Sequence, residues 1–295
     1  MKATKWVAVS VGAVLALGAL ALAGCGSKSS TSSTGSSTGS STTGSISVAG
    51  SDTMVNLAQA WAEQFGKVNP GILVSVKGGG SGNGIAALLN KTVTFADASR
   101  DIKPEEITQA KANGVNPVTT VVAKDGVVII VNTANTVSNI TKTDLGKVYA
   151  GQITNWKALG GADAPIVLLG RDSSSGTYAF INDEVLAKLP GKPAYAKSMR
   201  NLQSTQAIVD EVSKNPDAIG YVGLGYENAT IKPVSVEGKI ASVATVLDGS
   251  YPLSRPLNMI SDGQLTGAAK AYIDWILGAD GQKVVASQGF VPLTK

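Results

Sequence analysis

Histidine is absent from the 295-residue chain, and cysteine occurs once, at Cys25. The first absence removes the commonest general base and the commonest neutral metal ligand. The second excludes an intrachain disulfide and leaves no thiol pair for metal or redox chemistry. Aromatic residues make up only 5% of the chain, too few for a base-stacking surface. The formal net charge is +4, a mild excess with no concentrated basic patch, which argues against a nucleic-acid partner. No G-x-x-x-x-G-K-[ST] loop is present, so a Walker A site is excluded. Between Ile46 and Lys295 no G-x-S-x-G turn occurs, and without histidine a Ser-His hydrolase has no basis. A Ser-Lys pair remains as the enzymatic alternative.

What is present begins with an address. Lys2 and Lys5 precede an apolar run from Trp6 to Ala23, which ends in Leu22-Ala23-Gly24-Cys25. This pattern predicts a secretory signal with a lipoprotein cleavage box over residues 1–25, lipidated at Cys25. A retained transmembrane helix is the alternative reading of so long a run. From Gly26 to Ser45 every residue but Lys28 is Ser, Thr or Gly. Such a segment cannot bury apolar surface and reads as a flexible tether.

From Ile46 onward, short Val- and Ile-rich runs alternate with helical patterns, the signature of an α/β fold. Strands are predicted at 46–49, 73–77, 118–123, 126–131, 166–170 and 219–222. Helices are predicted at 54–68, 85–89, 104–112, 143–150, 178–186, 205–214, 267–277 and 279–287. In the first helix Met54, Leu57, Ala58, Trp61 and Phe65 fall on one stripe. Gly151 is a natural stop after the helix at 143–150. The break at Lys124-Asp125-Gly126 and the proline-bearing stretch 251–260, read as an extended connector, mark two crossings between lobes. Lobe 1 then takes 46–125 and 256–295, and lobe 2 takes 126–255.

One local design occurs three times: a strand, a Ser/Thr/Gly turn, then a helix start. It appears at Gly50-Ser51-Asp52-Thr53, at Gly78 through Gly84, and at Arg171 through Thr177. The first turn of a helix carries N–H groups with no intrahelical partner, and the macrodipole adds positive charge there. Anions therefore sit well at such starts. Glycine permits close backbone approach, and hydroxyls add donors without bulk. The Arg171 guanidinium matches two oxygens of a tetrahedral anion. Any one turn alone reads as an ordinary N-cap. The stretch at Gly78–Gly84 lacks the G-x-G-x-x-G spacing of dinucleotide sites. The ligand so implied is a small anion held by donors, with no cofactor and no metal.

These pieces resemble the phosphate-binding PstS family of periplasmic and lipoprotein receptors. The resemblance rests on Ala49-Gly50-Ser51-Asp52-Thr53-Met54, Gly79-Gly80-Ser81-Gly82, Ala98-Ser99-Arg100, Gly151 through Trp156, Arg171 through Thr177, and Ala218 through Gly223. It implies a two-lobed type II binding-protein fold, with phosphate held between the lobes and passed to the permease of an ABC importer. It implies that Thr53, the Met54 amide and Ser81 donate from lobe 1, and that Arg171, Ser175, Gly176 and Thr177 donate from lobe 2. It implies a monomer tethered to the outer face of the membrane. Many family members carry aspartate where this chain has Arg100, and that aspartate accepts the proton of the phosphate. Arginine cannot accept. Asp52, Asp97 and Asp172 are the other carboxylates near the motifs, with Asp52 preferred. Arg100 is open to two roles, direct anion ligand or ion-pair partner. Other tetrahedral oxyanions, namely molybdate, tungstate and sulfate, are the alternative cargo, and a phosphate-sensing receptor is the alternative role.

Overall fold

The computed structural model describes residues 43–293. The signal segment, Cys25 and most of the tether lie outside them. The first strand, β1 (Gly44–Gly50), starts two residues before the expected point, because Gly44 and Ser45 pair with Ile72 and Leu73. Then come α1 (Val55–Val68), β2 (Ile72–Lys77), α2 (Ser81–Leu89), β3 (Phe95–Ala98), α3 (Pro104–Ala112) and β4 (Pro117–Asn132). The middle of the chain forms β5 (Asn139–Ile140), α4 (Lys142–Tyr149), β6 (Val167–Arg171), α5 (Gly176–Glu184), β7 (Arg200–Leu202), α6 (Thr205–Lys214), β8 (Ala218–Gly223), β9 (Ile231–Val236) and α7 (Val243–Leu247). The chain closes with β10 (Ser254–Asp262), α8 (Gly267–Leu277) and α9 (Ala279–Ser287).

The strands order as β2-β1-β3-β10-β4-β8-β6-β7, with β9 beside β4 and β5. Strand β4 belongs to both halves of this fold. Its first part, up to Gly126, pairs with β10; from Val127 onward it pairs with β8 and β9. This is a mixed α/β, two-lobed type II binding-protein architecture.

The helix faces follow the sequence pattern. On α1, Leu57, Ala58, Trp61 and Phe65 are buried. Phe65 meets Tyr272 and Trp275 of α8 edge-on at 5.0 and 5.6 Å. Full burial of a side chain such as Leu57 or Phe65 contributes about 1.5–3 kcal/mol. On α4, Leu145, Val148 and Tyr149 are buried, and Gly151 adopts a φ of 73° just past the helix.

Both expectations about the crossings between lobes need correction. The chain does not break at Lys124-Asp125-Gly126, since β4 runs for 16 residues through it. The stretch 251–260 is no connector: most of it is β10, which lies between β3 and β4. The prolines misled because Pro normally leaves a central strand. Pro256 is tolerated because β3 pairs with β10 only at Asn258–Ile260, so at Pro256 the strand has β4 on one side. Asp125 is tolerated inside a buried strand because its register partner on β10 is Arg255.

Candidate anion-binding site

The three helix starts converge. Strand β1 delivers Ser51, Asp52 and Thr53 to the head of α1, and β2 delivers the glycine run to the head of α2. Strand β6, in the other half, delivers Arg171 to Ser175 to the head of α5. Ser51, Thr53, Ser81, Ser99, Ser175 and Thr177 are all buried, although each carries a hydroxyl. Buried polar groups need partners, and here they find one another.

Across the two halves, Thr53 Oγ1 lies 3.0 Å from Thr177 Oγ1. Within the first half, the Ser51 hydroxyl donates to Ser99 Oγ at 2.9 Å. The Ser99 amide donates to Ser81 Oγ at 3.1 Å. The two heads pack so tightly that a Cβ on Gly176 would lie 2.3 Å from Ser81 Oγ and 2.5 Å from Ser99 Oγ. Gly80 has a φ of 98°, and a Cβ there would lie 2.8 Å from the Ser174 carbonyl. Backbone joins backbone as well, because the Gly82 amide donates to Ser174 O at 2.9 Å.

Arg171 is 2% exposed, and each of its guanidinium nitrogens has a partner. Its Nε donates to Leu202 O, Nη1 to Thr205 Oγ1, and Nη2 to both Gln203 O and Asp52 Oδ2. The Asp52 contact, at 2.6 Å, spans the two halves. The other oxygen of Asp52 accepts from the Gly79 amide at 3.0 Å. Tyr226 reaches across with its hydroxyl to the Asp52 carbonyl at 2.6 Å. The Arg171 amide donates to the hydroxyl of Tyr221, whose titration burial pushes up to about 12, so that phenol stays neutral.

Of the residues singled out in the sequence, the structure brings Asp52, Thr53, Met54, Ser81, Arg171, Ser175, Gly176 and Thr177 together. Met54 is fully buried, and its amide donates to Ser51 O at 3.0 Å. Ser175 caps α5 by accepting from the Tyr178 amide at 3.3 Å. Arg100 lies beside the head of α2, where a Cβ on Gly82 would be 3.6 Å from Nη2, but its guanidinium is turned to a carboxylate. Its Nη1 and Nη2 grip the two oxygens of Glu106 at 2.8 and 2.7 Å, and Nη1 also meets Asp101 O. Of the two roles open to it, the geometry is that of an ion pair. Burial raises the Glu106 carboxyl, but Arg100 and the Lys103 amide outweigh it and hold the group below its usual value.

Sequence reasoning missed Asp125 and Arg255. Arg255 is 4% exposed and Asp125 fully buried. Arg255 Nε and Nη2 both donate to Asp125 Oδ2, at 2.9 and 2.7 Å, and the Leu224 amide donates to Oδ1. Nη1 donates to Ser99 O and to Thr177 Oγ1, each at 3.0 Å, and Nη2 reaches Thr53 Oγ1 at 3.3 Å. Burial raises the Asp125 carboxyl and lowers the Arg255 guanidinium, while each partner opposes the shift of the other. Nothing local marks either residue, since Asp125 adjoins Lys124 and Arg255 lies between Ser254 and Pro256. Asp97, the third carboxylate considered, lies apart from this network with Oδ1 buried and unpartnered, and burial raises it well above the usual range. Asp172 stays with its own turn, where Oδ1 accepts from the Ser174 amide at 2.9 Å.

Two lobes that meet through buried hydroxyls and helix starts define a solute-binding protein, and a model described as the PBP superfamily domain matches residues 35–280. The relatives narrow this class. A phosphate-binding protein PstS of Bacillus subtilis is 31% identical over 297 residues, covering 100% of this chain and 96% of that protein. One of Borreliella burgdorferi is 31% identical, covering 83% of this chain and 89% of that protein. Among solved structures, a phosphate ABC transporter substrate-binding protein from Clostridium perfringens, with phosphate bound, superposes with a TM-score of 0.78. It is 31% identical and covers 85% of this chain and 100% of that one. The chain belongs to the PstS family of phosphate-binding proteins.

Proposed function

We propose that this protein captures inorganic phosphate between its two lobes and delivers it to an ABC-type importer. The observation that carries the reading is the convergence of three helix starts from both halves, with buried Thr53, Ser81 and Thr177, on one point. Burying an anion is costly unless nearly every oxygen is met by a donor. Amides at helix starts, short hydroxyls and guanidinium groups meet them without a metal. The proposed ligand set is Thr53, the Met54 amide, Ser81, Ser175, Gly176 and Thr177, with Arg171 and Asp52 beside it. Arg100 is left to Glu106.

The proposed lobes are 46–125 with 256–295, and 126–255. The exchange of partners by β4 near Gly126 supports a hinge there and at the start of β10. Capture then follows hinge closure: one lobe takes the anion, the second swings in, and fixed donors replace water. The closed form is the one a permease would recognise. The leader at residues 1–25 and the tether support an exported monomer held by a lipid on Cys25 at the outer face of the cell membrane.

Isothermal titration with phosphate, sulfate, molybdate and a neutral sugar tests the reading. Phosphate is expected to bind at micromolar affinity or better, about −8 kcal/mol. Absence of heat with phosphate, or equal heat with sulfate, overturns it. No hydrolysis of a chromogenic phosphate ester is expected.

A further inference from the structure

Every guanidinium N–H of Arg255 is bonded within the protein. Nε and Nη2 donate to Asp125 Oδ2, Nη1 to Ser99 O and Thr177 Oγ1, and Nη2 also to Thr53 Oγ1. No hydrogen is left for a ligand. Nor can the group swing away. Asp125 is fully buried and its other oxygen accepts the Leu224 amide at 2.9 Å, so a departing guanidinium would leave a lone carboxylate in the interior. The Phe180 ring, 5.4 Å from Cζ, covers one face of the arginine.

The consequence falls on the two threonines. A hydroxyl has one proton to donate and two lone pairs that accept. Arg255 fills a lone pair on Thr177 and another on Thr53, and arginine has no acceptor to offer in return. Both hydroxyl protons must therefore be placed elsewhere. Among the described residues, the only other bond of either hydroxyl is to its fellow threonine, at 3.0 Å. One proton makes that bond, and the second has no acceptor. A buried donor in that state is costly. The pair at the heads of α1 and α5 is thus one acceptor short, and an anionic oxygen supplies it. Ser175 repeats the arrangement on a smaller scale: its oxygen accepts the Tyr178 amide, which leaves its proton for another acceptor.

We infer that Arg255, held by Asp125, is a positioning residue that commits the hydroxyls of Thr53 and Thr177 to donate to the bound oxyanion. The inference rests on the phosphate-binding reading and adds how two of its donors are oriented before the ligand arrives. A hydroxyl that already receives a charged donor is polarised, so its own proton bonds an anion more strongly. Two committed donors also favour an unprotonated oxygen of the anion at this point.

The test uses inorganic phosphate as the probe. Wild type is titrated first; absence of heat overturns the phosphate reading, and this inference falls with it. Where wild type binds, D125N/R255M removes the ion pair without leaving a lone charge. Once circular dichroism and urea unfolding show the variant folded, its phosphate affinity is expected to be about tenfold lower or worse, the scale of a charge-assisted hydrogen bond. In a T53V/T177V background the same two changes are expected to cost less than about threefold, because no hydroxyl is left to orient. Equal losses in both backgrounds, or no loss beside wild type, overturn the inference while the phosphate reading stands. A second measurement needs no variant and decides the case if one fails to fold. In a neutron structure of the deuterated wild-type complex with phosphate, Nη deuterons of Arg255 are expected on Thr53 and Thr177 Oγ1, with both hydroxyl deuterons on phosphate oxygens. A hydroxyl deuteron turned to a protein atom, or an Arg255 nitrogen bonded directly to phosphate, overturns the assignment.

Discussion

Gly176 at the head of α5 gives the sharpest handle on whether the two lobes close as described. In Gly176→Ala the amide that would face the anion is kept, so a lost donor is not part of the perturbation. The added methyl would sit 2.3 Å from Ser81 Oγ, 2.5 Å from Ser99 Oγ and 3.1 Å from Ser81 Cβ. Ordinary contact for a carbon is about 3.5 Å, so the shortfall is about 1 Å. Ser81 cannot simply turn away, because its oxygen accepts the Ser99 amide, and both residues are fully buried. The lobes must therefore stay apart by about that distance or strain the contact. Overpacking of this kind costs about 1–3 kcal/mol. Charged to the closed state alone, it weakens phosphate binding by roughly 5- to 150-fold. Isothermal titration reads the loss, and urea unfolding confirms that the variant is folded. Phosphate affinity within threefold of wild type would refute the argument that Gly176 and Ser81 come together in the bound form.

Two further outcomes are expected. Asp52→Asn removes the charge that faces Arg171 at 2.6 Å and leaves a buried guanidinium without its carboxylate. Urea unfolding should show a stability loss of about 3 kcal/mol, and an unchanged midpoint would refute the pairing. Asp97 is buried with Oδ1 unpartnered, and burial raises its titration well above the normal value near 4. The folded state thus binds a proton that the unfolded state has released, and stability falls as pH rises from about 4 toward the raised value. Asp97→Asn should flatten that decline in urea midpoints measured between pH 5 and 8; an identical slope in both proteins would count against the assignment.

The helices were largely legible because their signals are local. The α1 stripe and the stop at Gly151 need no knowledge of distant chain. The start of α2 was placed too late, at Ile85, because glycines at 82 and 84 read as loop; the helix begins at Ser81. Strand β10 was lost for the opposite reason. Its prolines argue against a central strand, and only the short reach of β3 explains why one is permitted there. The site divided in the same way. Thr53, Ser81 and Thr177 announce themselves by lying at helix starts, whereas Arg255 sits in a strand between Ser254 and Pro256 with nothing local to mark it.

Residue order alone was enough to specify an α/β chain and three anion-ready turns, since each depends on neighbours within a few positions. It could not say which guanidinium each threonine would meet, nor whether Arg100 would face the ligand or Glu106. The first choice came from pairing across the β4–β10 ladder, where residues 130 apart in the chain are brought into register, and the second from the turn between β3 and α3, which brings Glu106 back onto Arg100. Burial then made the pairing compulsory, because a lone charge in that interior is far costlier than a matched one.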